Sequence, residues 1–151
     1  MTPDIVNSYI LNFGLNNQAT ALMQSTYVSL TNASKREDKF MVTNELSRQR
    51  FKTTALILMA FETGCDIVIP YQNMKKYVKQ DILRIQKKLN IETEVNVYTM
   101  REIQGTEQTR ELLVDELPKG SHVLLKELLP RIKTGFVAQH VYKELVFEGL
   151  L

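Results

Sequence analysis

Asp66-Ile67-Val68-Ile69-Pro70 is a β-branched run with no polar face, closed by a proline. A strand with one wet face alternates polar and apolar residues, whereas an unbroken run of this kind suits a strand buried on both faces. Just before it, Thr53 to Thr63 carries Ala55, Leu56, Ile57, Leu58, Met59, Ala60 and Phe61, and Gly64 follows as a natural C-cap. A helix that is apolar all round is covered on most sides, as helices flanking a central sheet are. Together the two segments call for a sheet with helices packed over it.

The rest of the middle repeats that alternation. Phe40-Met41-Val42-Thr43 reads as a short strand, followed by a basic loop and the buried helix. After the 66–70 strand, Met74, Tyr77, Val78, Ile82, Ile85 and Leu89 form a helical stripe, with Lys75, Lys76, Lys79, Arg84, Lys87 and Lys88 largely outside it. Glu94-Val95-Asn96-Val97-Tyr98 alternates as another strand, Gly105 marks a turn, and Arg110 to Glu116 offers an apolar strand ending in two acids. This order predicts an α/β fold with a mostly parallel central sheet between helical layers.

Both ends read as helical. Thr2-Pro3 starts a helix whose apolar positions are Ile5, Val6, Tyr9, Ile10 and Phe13, and Gly14 ends it. A second helix is expected over Asn17 to Asn32, with Ala21, Leu22, Tyr27, Val28 and Ala33 near its inner face. Past Pro118 and Gly120, the pattern gives a helix at Ser121–Ile132 that Pro130 shortens or kinks, a turn at Lys133-Thr134-Gly135, and an amphipathic helix from Ala138 with Val141, Leu145, Val146, Leu150 and Leu151. The expectation is a single domain over 1–151: a helical N-terminal addition at 1–36, a core at 40–118 and C-terminal helices at 119–151.

Composition excludes little beyond this. A net charge of +2 does not by itself call for nucleic acid, and the single cysteine, Cys65, rules out an internal disulfide. Cys65 opens an apolar run and reads as a buried structural thiol. No apolar run is long enough for a bilayer, so the expected setting is cytoplasmic, without a membrane partner. His122 and His140 lack metal-ligand spacing. Tyr9, Tyr27, Tyr77, Tyr98 and Tyr142 fall on inferred apolar faces and read as core.

Chemistry concentrates in Ser47-Arg48-Gln49-Arg50-Phe51-Lys52-Thr53-Thr54, between a strand and a buried helix. Against the spacing G-x-x-x-x-G-K-[ST], the lysine and hydroxyl are present at Lys52 and Thr53, while Leu46 and Phe51 stand at the glycine positions. Glycine there lets main-chain N–H groups wrap a phosphate. A β-carbon in the left-handed region costs about 1–2 kcal/mol, and the Phe51 ring is expected where a phosphate would lie. Downstream, Leu112-Leu113-Val114 ends in Asp115-Glu116.

In that order and context the chain resembles P-loop NTPases, in the style of helicase and phage terminase ATPase cores, over roughly residues 40–118. Arg48-Gln49 and Lys52-Thr53 match a loop that often reads Arg-Gln-x-Gly-Lys-Thr, and Leu112–Glu116 looks like a Walker B segment. Ile67-Val68-Ile69-Pro70 with Asn73 looks like the second strand and turn of such domains. The resemblance implies a P-loop-like three-layer fold and a phage or mobile-element protein, acting in the host cytoplasm if phage-encoded. It also implies nucleotide contacts from Arg48, Gln49, Arg50, Lys52, Thr53 and Thr54. Mg2+ would be held by Thr53 and Asp115 beside ATP, with Glu116 activating the attacking water. An active form would need self-association or a protein partner to complete its site.

Each element also has a plainer reading. Threonines cap helices, and Asp-Glu after a strand is a common solvated turn. A non-catalytic module is the alternative: Arg48, Arg50, Lys75, Lys76 and Lys79 would contact DNA, RNA or a protein partner, with Phe51 stacking on a base. On the plainest reading the lysines are only a solvated helix face.

Overall fold

The computed structural model describes residues 3–43, 51–104, 110–118 and 120–151. In chain order the helices are α1 (Asp4–Asn12), α2 (Asn17–Ser34), α3 (Lys52–Thr63), α4 (Lys75–Leu89), α5 (Met100–Gln104), α6 (His122–Leu128) and α7 (Gln139–Phe147). The strands are β1 (Phe40–Thr43), β2 (Asp66–Ile69), β3 (Val97–Thr99), β4 (Leu112–Asp115) and β5 (Ile132–Ala138). All pairings are parallel, in the order β1-β5-β4-β2-β3.

That order explains why there are two helical layers. From β1 to β2 to β3 the chain crosses the sheet one way, and through β4 to β5 it returns. Right-handed crossovers in opposite directions place their helices on opposite faces. Accordingly α3 and α4 share one cluster with α1 and α2, against Ile67, Ile69, Val97, Leu113 and Phe136. On the other face α5, α6 and α7 pack on Phe40, Val68, Leu112, Val114 and Val137. Successive residues of β2, β4 and β5 thus serve opposite layers, the period-two rule of a strand buried on both sides. The result is a three-layer α/β fold.

Several helix limits follow the local chemistry expected of them. The Asn16 side chain accepts from the Ala19 N–H at 2.8 Å and starts α2. Gly64 at φ 76° closes α3, whose Ala55–Phe61 segment is entirely buried. Three expectations need correction. The inner face of α2 is Met23, Thr26, Tyr27, Leu30 and Ala33, rotated from the predicted stripe, while Val28 is exposed. Tyr77 is 67% exposed rather than core; the buried residues of the α4 seam are Val78, Ile82 and Ile85. The edge strand β3 starts at Val97, later than the alternating pattern suggested.

The largest difference lies in the C-terminal third. Lys133-Thr134-Gly135 is not a turn but part of β5, so the segment after 118 is not purely helical. β5 pairs with β1 on one side and β4 on the other, which extends the sheet beyond the expected 40–118 core. The pairing skips a residue there: Leu112 faces Ile132 and Leu113 faces Thr134, leaving Lys133 as the irregular position. The N-terminal helices, expected as an addition, supply Val6, Tyr9, Met23, Tyr27 and Leu30 to the core of one face. Thr134 of β5 reaches this layer, its hydroxyl 3.4 Å from the Leu30 carbonyl of α2 and 2.7 Å from the Lys39 carbonyl just before β1.

Candidate functional site

The C-terminal ends of β1, β5 and β4 lie side by side, and three segments emerge there. Arg48, Gln49 and Arg50, with Leu46 and Ser47, fall outside the described residues. From Phe51 onward the chain is placed. Phe51 stands before α3 at φ 73°, ψ 10°, in the left-handed region, and its carbonyl accepts the Ala55 N–H at 2.8 Å. A left-handed residue therefore sits where the motif asks for glycine, with the steric cost of a β-carbon. The ring does not project as expected: it packs, half-buried, against the core cluster of α1–α4.

Lys52, Thr53 and Thr54 form the first turn of α3, all half-buried. Lys52 Nζ lies 2.6 Å from Glu116 Oε1, and Thr53 Oγ1 donates to Asp115 Oδ2 at 2.8 Å. The start of α3 and the end of β4 are thus joined twice, across more than sixty residues of chain. Lys52 Nζ also stands 5.8 Å from the centre of the Phe136 ring on β5. Asp115 is 2% exposed. Burial pushes its carboxyl above the usual range, while the Thr53 hydroxyl and the Lys52 charge pull the other way and Glu116 adds to the rise.

Glu116 follows at φ 67°, a second left-handed residue that is not glycine. Its N–H donates to the Phe136 carbonyl at 3.0 Å, which turns the side chain back over the strand ends. There Oε1 meets Lys52 and also the hydroxyl of Thr43, the last residue of β1, at 3.2 Å. Thr43 went unnoticed in the sequence. A buried hydroxyl closing an otherwise apolar strand was its only signal.

Comparison with protein-family models, curated proteins and solved structures finds no match. The site has to be read from its own chemistry.

That chemistry is two carboxylates, one ammonium and two hydroxyls at one end of a parallel sheet. Ligands of open α/β sheets bind outside the carboxyl ends of strands, where successive connections leave to opposite faces. A cavity of about 600 Å³ opens at the same end of the sheet, over the ends of β2, β3 and β4, with Pro70, Tyr71, Thr99, Glu102, Pro118 and Ser121 in its wall; Lys52, Thr53, Asp115 and Glu116 do not line it. A larger one, about 810 Å³, lies at the opposite end of the sheet around Lys39, Lys126, Leu129 and Pro130. Only the smaller of the two lies at the carboxyl ends of the strands, where Asp115 and Glu116 are.

The lysines of α4 divide. Lys75 is engaged by Glu102 at 2.7 Å, an interaction that, with the Thr99 N–H, holds the Glu102 carboxyl below its ordinary range. Lys76 and Lys79 are exposed. His122 Nδ1 contacts Glu144 at 2.9 Å, and His140 is exposed. Among the described residues, no group of three or more His, Cys, Asp or Glu side chains could hold a metal, and no helix is long and apolar enough to cross a membrane.

Proposed function

We propose that this chain is a P-loop NTPase-like protein of the phage or mobile-element type, handling nucleotide or nucleic acid, with Lys52, Thr53, Asp115 and Glu116 in a degenerate nucleotide site whose glycine positions hold Leu46 and Phe51. One observation carries the reading: Lys52–Glu116 and Thr53–Asp115 meet at 2.6 and 2.8 Å at the C-terminal edge of a parallel sheet. An ammonium, a hydroxyl and two carboxylates are the side chains that phosphoryl transfer from a metal–nucleotide complex requires.

The residues fit Mg2+ with ATP. Thr53 and the buried Asp115 present oxygens, and Mg2+ is commonly held by one or two carboxylates together with substrate phosphates rather than by an all-protein cage. When bound, the ion would supply positive charge that offsets the charge of the phosphates. In this reading Lys52 would exchange Glu116 for the β/γ-phosphates, and Thr53 and Asp115 would be the residues that hold the metal. Glu116, released from the lysine, accepts the proton of the attacking water. Arg48, Gln49, Arg50 and Thr54 would add contacts to the phosphates.

Thermal shift tests the assignment. Mg-ATP is expected to raise Tm of the wild type, and Lys52→Ala is expected to remove most of that rise. Equal shifts in both proteins would place the nucleotide elsewhere.

A second reading has its own support. Lys52 is already neutralised by Glu116, and exposed Lys76 and Lys79 leave α4 with a basic face. The fold would then be a non-catalytic scaffold contacting DNA, RNA or a protein partner. That predicts no Mg-ATP shift, and an affinity for a short DNA that falls steeply with salt.

A further inference from the structure

Glu116 Oε1 has two donors in this structure, and they differ in kind. Lys52 Nζ at 2.6 Å is ionic and sits on α3, whereas Thr43 Oγ1 at 3.2 Å is neutral and sits at the end of β1. The Thr43 hydroxyl has one proton and a second acceptor in reach, the Val137 carbonyl at 3.4 Å. Thr43 is 4% exposed, and its β-branched side chain has little rotamer freedom on a paired strand. It is therefore a fixed donor, and Lys52, on a long flexible stem, is a movable one.

A polyphosphate carries more charge than a single carboxylate and would draw the lysine away from Glu116. Glu116 would then keep its main-chain bond to Phe136 on β5 and its side-chain bond to Thr43 on β1. We infer that Thr43 is a positioning residue: it retains Glu116 Oε1 after Lys52 has moved to phosphate, so that the carboxylate stays at the strand ends, where the attacking water would be activated. A neutral hydroxyl can hold a carboxylate in place without cancelling the charge a general base needs. The inference rests on the nucleotide-site reading above.

Thr43→Val keeps the side-chain shape and removes the donor, and Thr43→Ser restores it. Mg-ATP turnover and binding are measured on the wild type and both variants, with thermal unfolding alongside. Thr43→Val is expected to lower kcat by about tenfold or more and leave KM within about threefold, since loss of orientation acts on the chemical step. Thr43→Ser is expected to recover most of kcat. In a Glu116→Gln background, adding Thr43→Val is expected to change kcat by less than about twofold, because the two residues act as one unit. That background comparison also separates orientation from any general loss of fold. Unchanged kcat in Thr43→Val overturns the positioning role and leaves the site reading standing. So does an equal loss in both backgrounds, or a loss of Mg-ATP binding that parallels the loss of turnover. A wild type with neither turnover nor a Lys52-dependent Mg-ATP shift overturns the site reading, and the positioning role falls with it.

Discussion

Asp115 is a carboxylate placed where water cannot reach it, and a carboxyl so desolvated favours its protonated form. A group whose pKa is higher in the fold than in the unfolded chain binds its proton more tightly when folded. At neutral pH ionised Asp115 therefore costs stability, and that cost disappears as pH falls through its raised folded pKa. Asp115→Asn keeps an acceptor for the Thr53 hydroxyl and removes the charge. It is expected to be more stable than the wild type at neutral pH by on the order of 1 kcal/mol, or about 2–4 °C in Tm for a chain of this size. The gain should shrink in mildly acid buffer, and thermal scans across pH would show it; a variant less stable than wild type at pH 7 contradicts the account. Phe51 invites the opposite experiment. Phe51→Gly relieves about 1–2 kcal/mol of left-handed strain but gives up the packing of a half-buried ring, worth about 2 kcal/mol. Stability should change by no more than about 1 kcal/mol, while Mg-ATP affinity is expected to rise because the loop gains the glycine its spacing asks for. Isothermal titration decides this, and unchanged or weaker binding would show that residue 51 does not limit the site.

At the scale of elements, β5 is the informative case. Its Gly135 lies between Phe40 of β1 and Val114 of β4, and a β-carbon there would run into the Val114 carbonyl oxygen and stand 2.8 Å from its nitrogen. Those atoms are main chain within the sheet and cannot move aside cheaply. Gly135→Ala is expected to cost about 3 kcal/mol, at the upper end of overpacking effects, and urea unfolding would measure it. A loss below about 1 kcal/mol would mean that β4 and β5 can separate locally. The same glycine explains why this strand was illegible in sequence. Thr-Gly after Pro-Arg reads as punctuation, yet glycine inside a strand also marks close approach of a neighbouring backbone, and only the sheet order reveals which applies. Elements with strong periodicity were legible: α3 by its all-round apolar run, β2 by its unbroken β-branched run, α4 by its stripe. α5, with five residues, is too short to carry a period, and the face of α2 was misjudged because apolar residues lie all round it. The encounter of Lys52 and Thr53 with Asp115 and Glu116 was legible for a topological reason: parallel strands send every following loop to one end of the sheet. Thr43 was not, since nothing in a four-residue strand says that β5 will bring it to Glu116.

At the scale of the whole molecule, that end of the sheet is joined to a buried reporter at the other end. Cys65 lies at the start of β2, at the end of the sheet opposite Lys52 and Asp115, and is 2% exposed. Burial pushes its thiol above its ordinary pKa, so in the native state it is both hidden and short of the reactive thiolate. Modification by a thiol reagent then requires an opening of the core around α3 and β2, both of which belong to the cluster that holds Cys65. Labelling of the native protein is expected to be slow and to accelerate in urea in step with global unfolding; fast labelling in buffer would show that this end opens independently. Ligand binding at the far end should be readable through the same thiol. A ligand at 100 times its Kd stabilises the native state by about 2.7 kcal/mol, which lowers the population of a globally opened form by about 100-fold. If Lys52 and Asp115 hold Mg-ATP, the nucleotide should slow Cys65 labelling by up to that factor and lose this effect in Lys52→Ala. Slowing that survives Lys52→Ala would locate the bound nucleotide outside the carboxyl ends of β1 and β4. No slowing in the wild type, with labelling still coupled to unfolding, would favour the scaffold that holds no nucleotide.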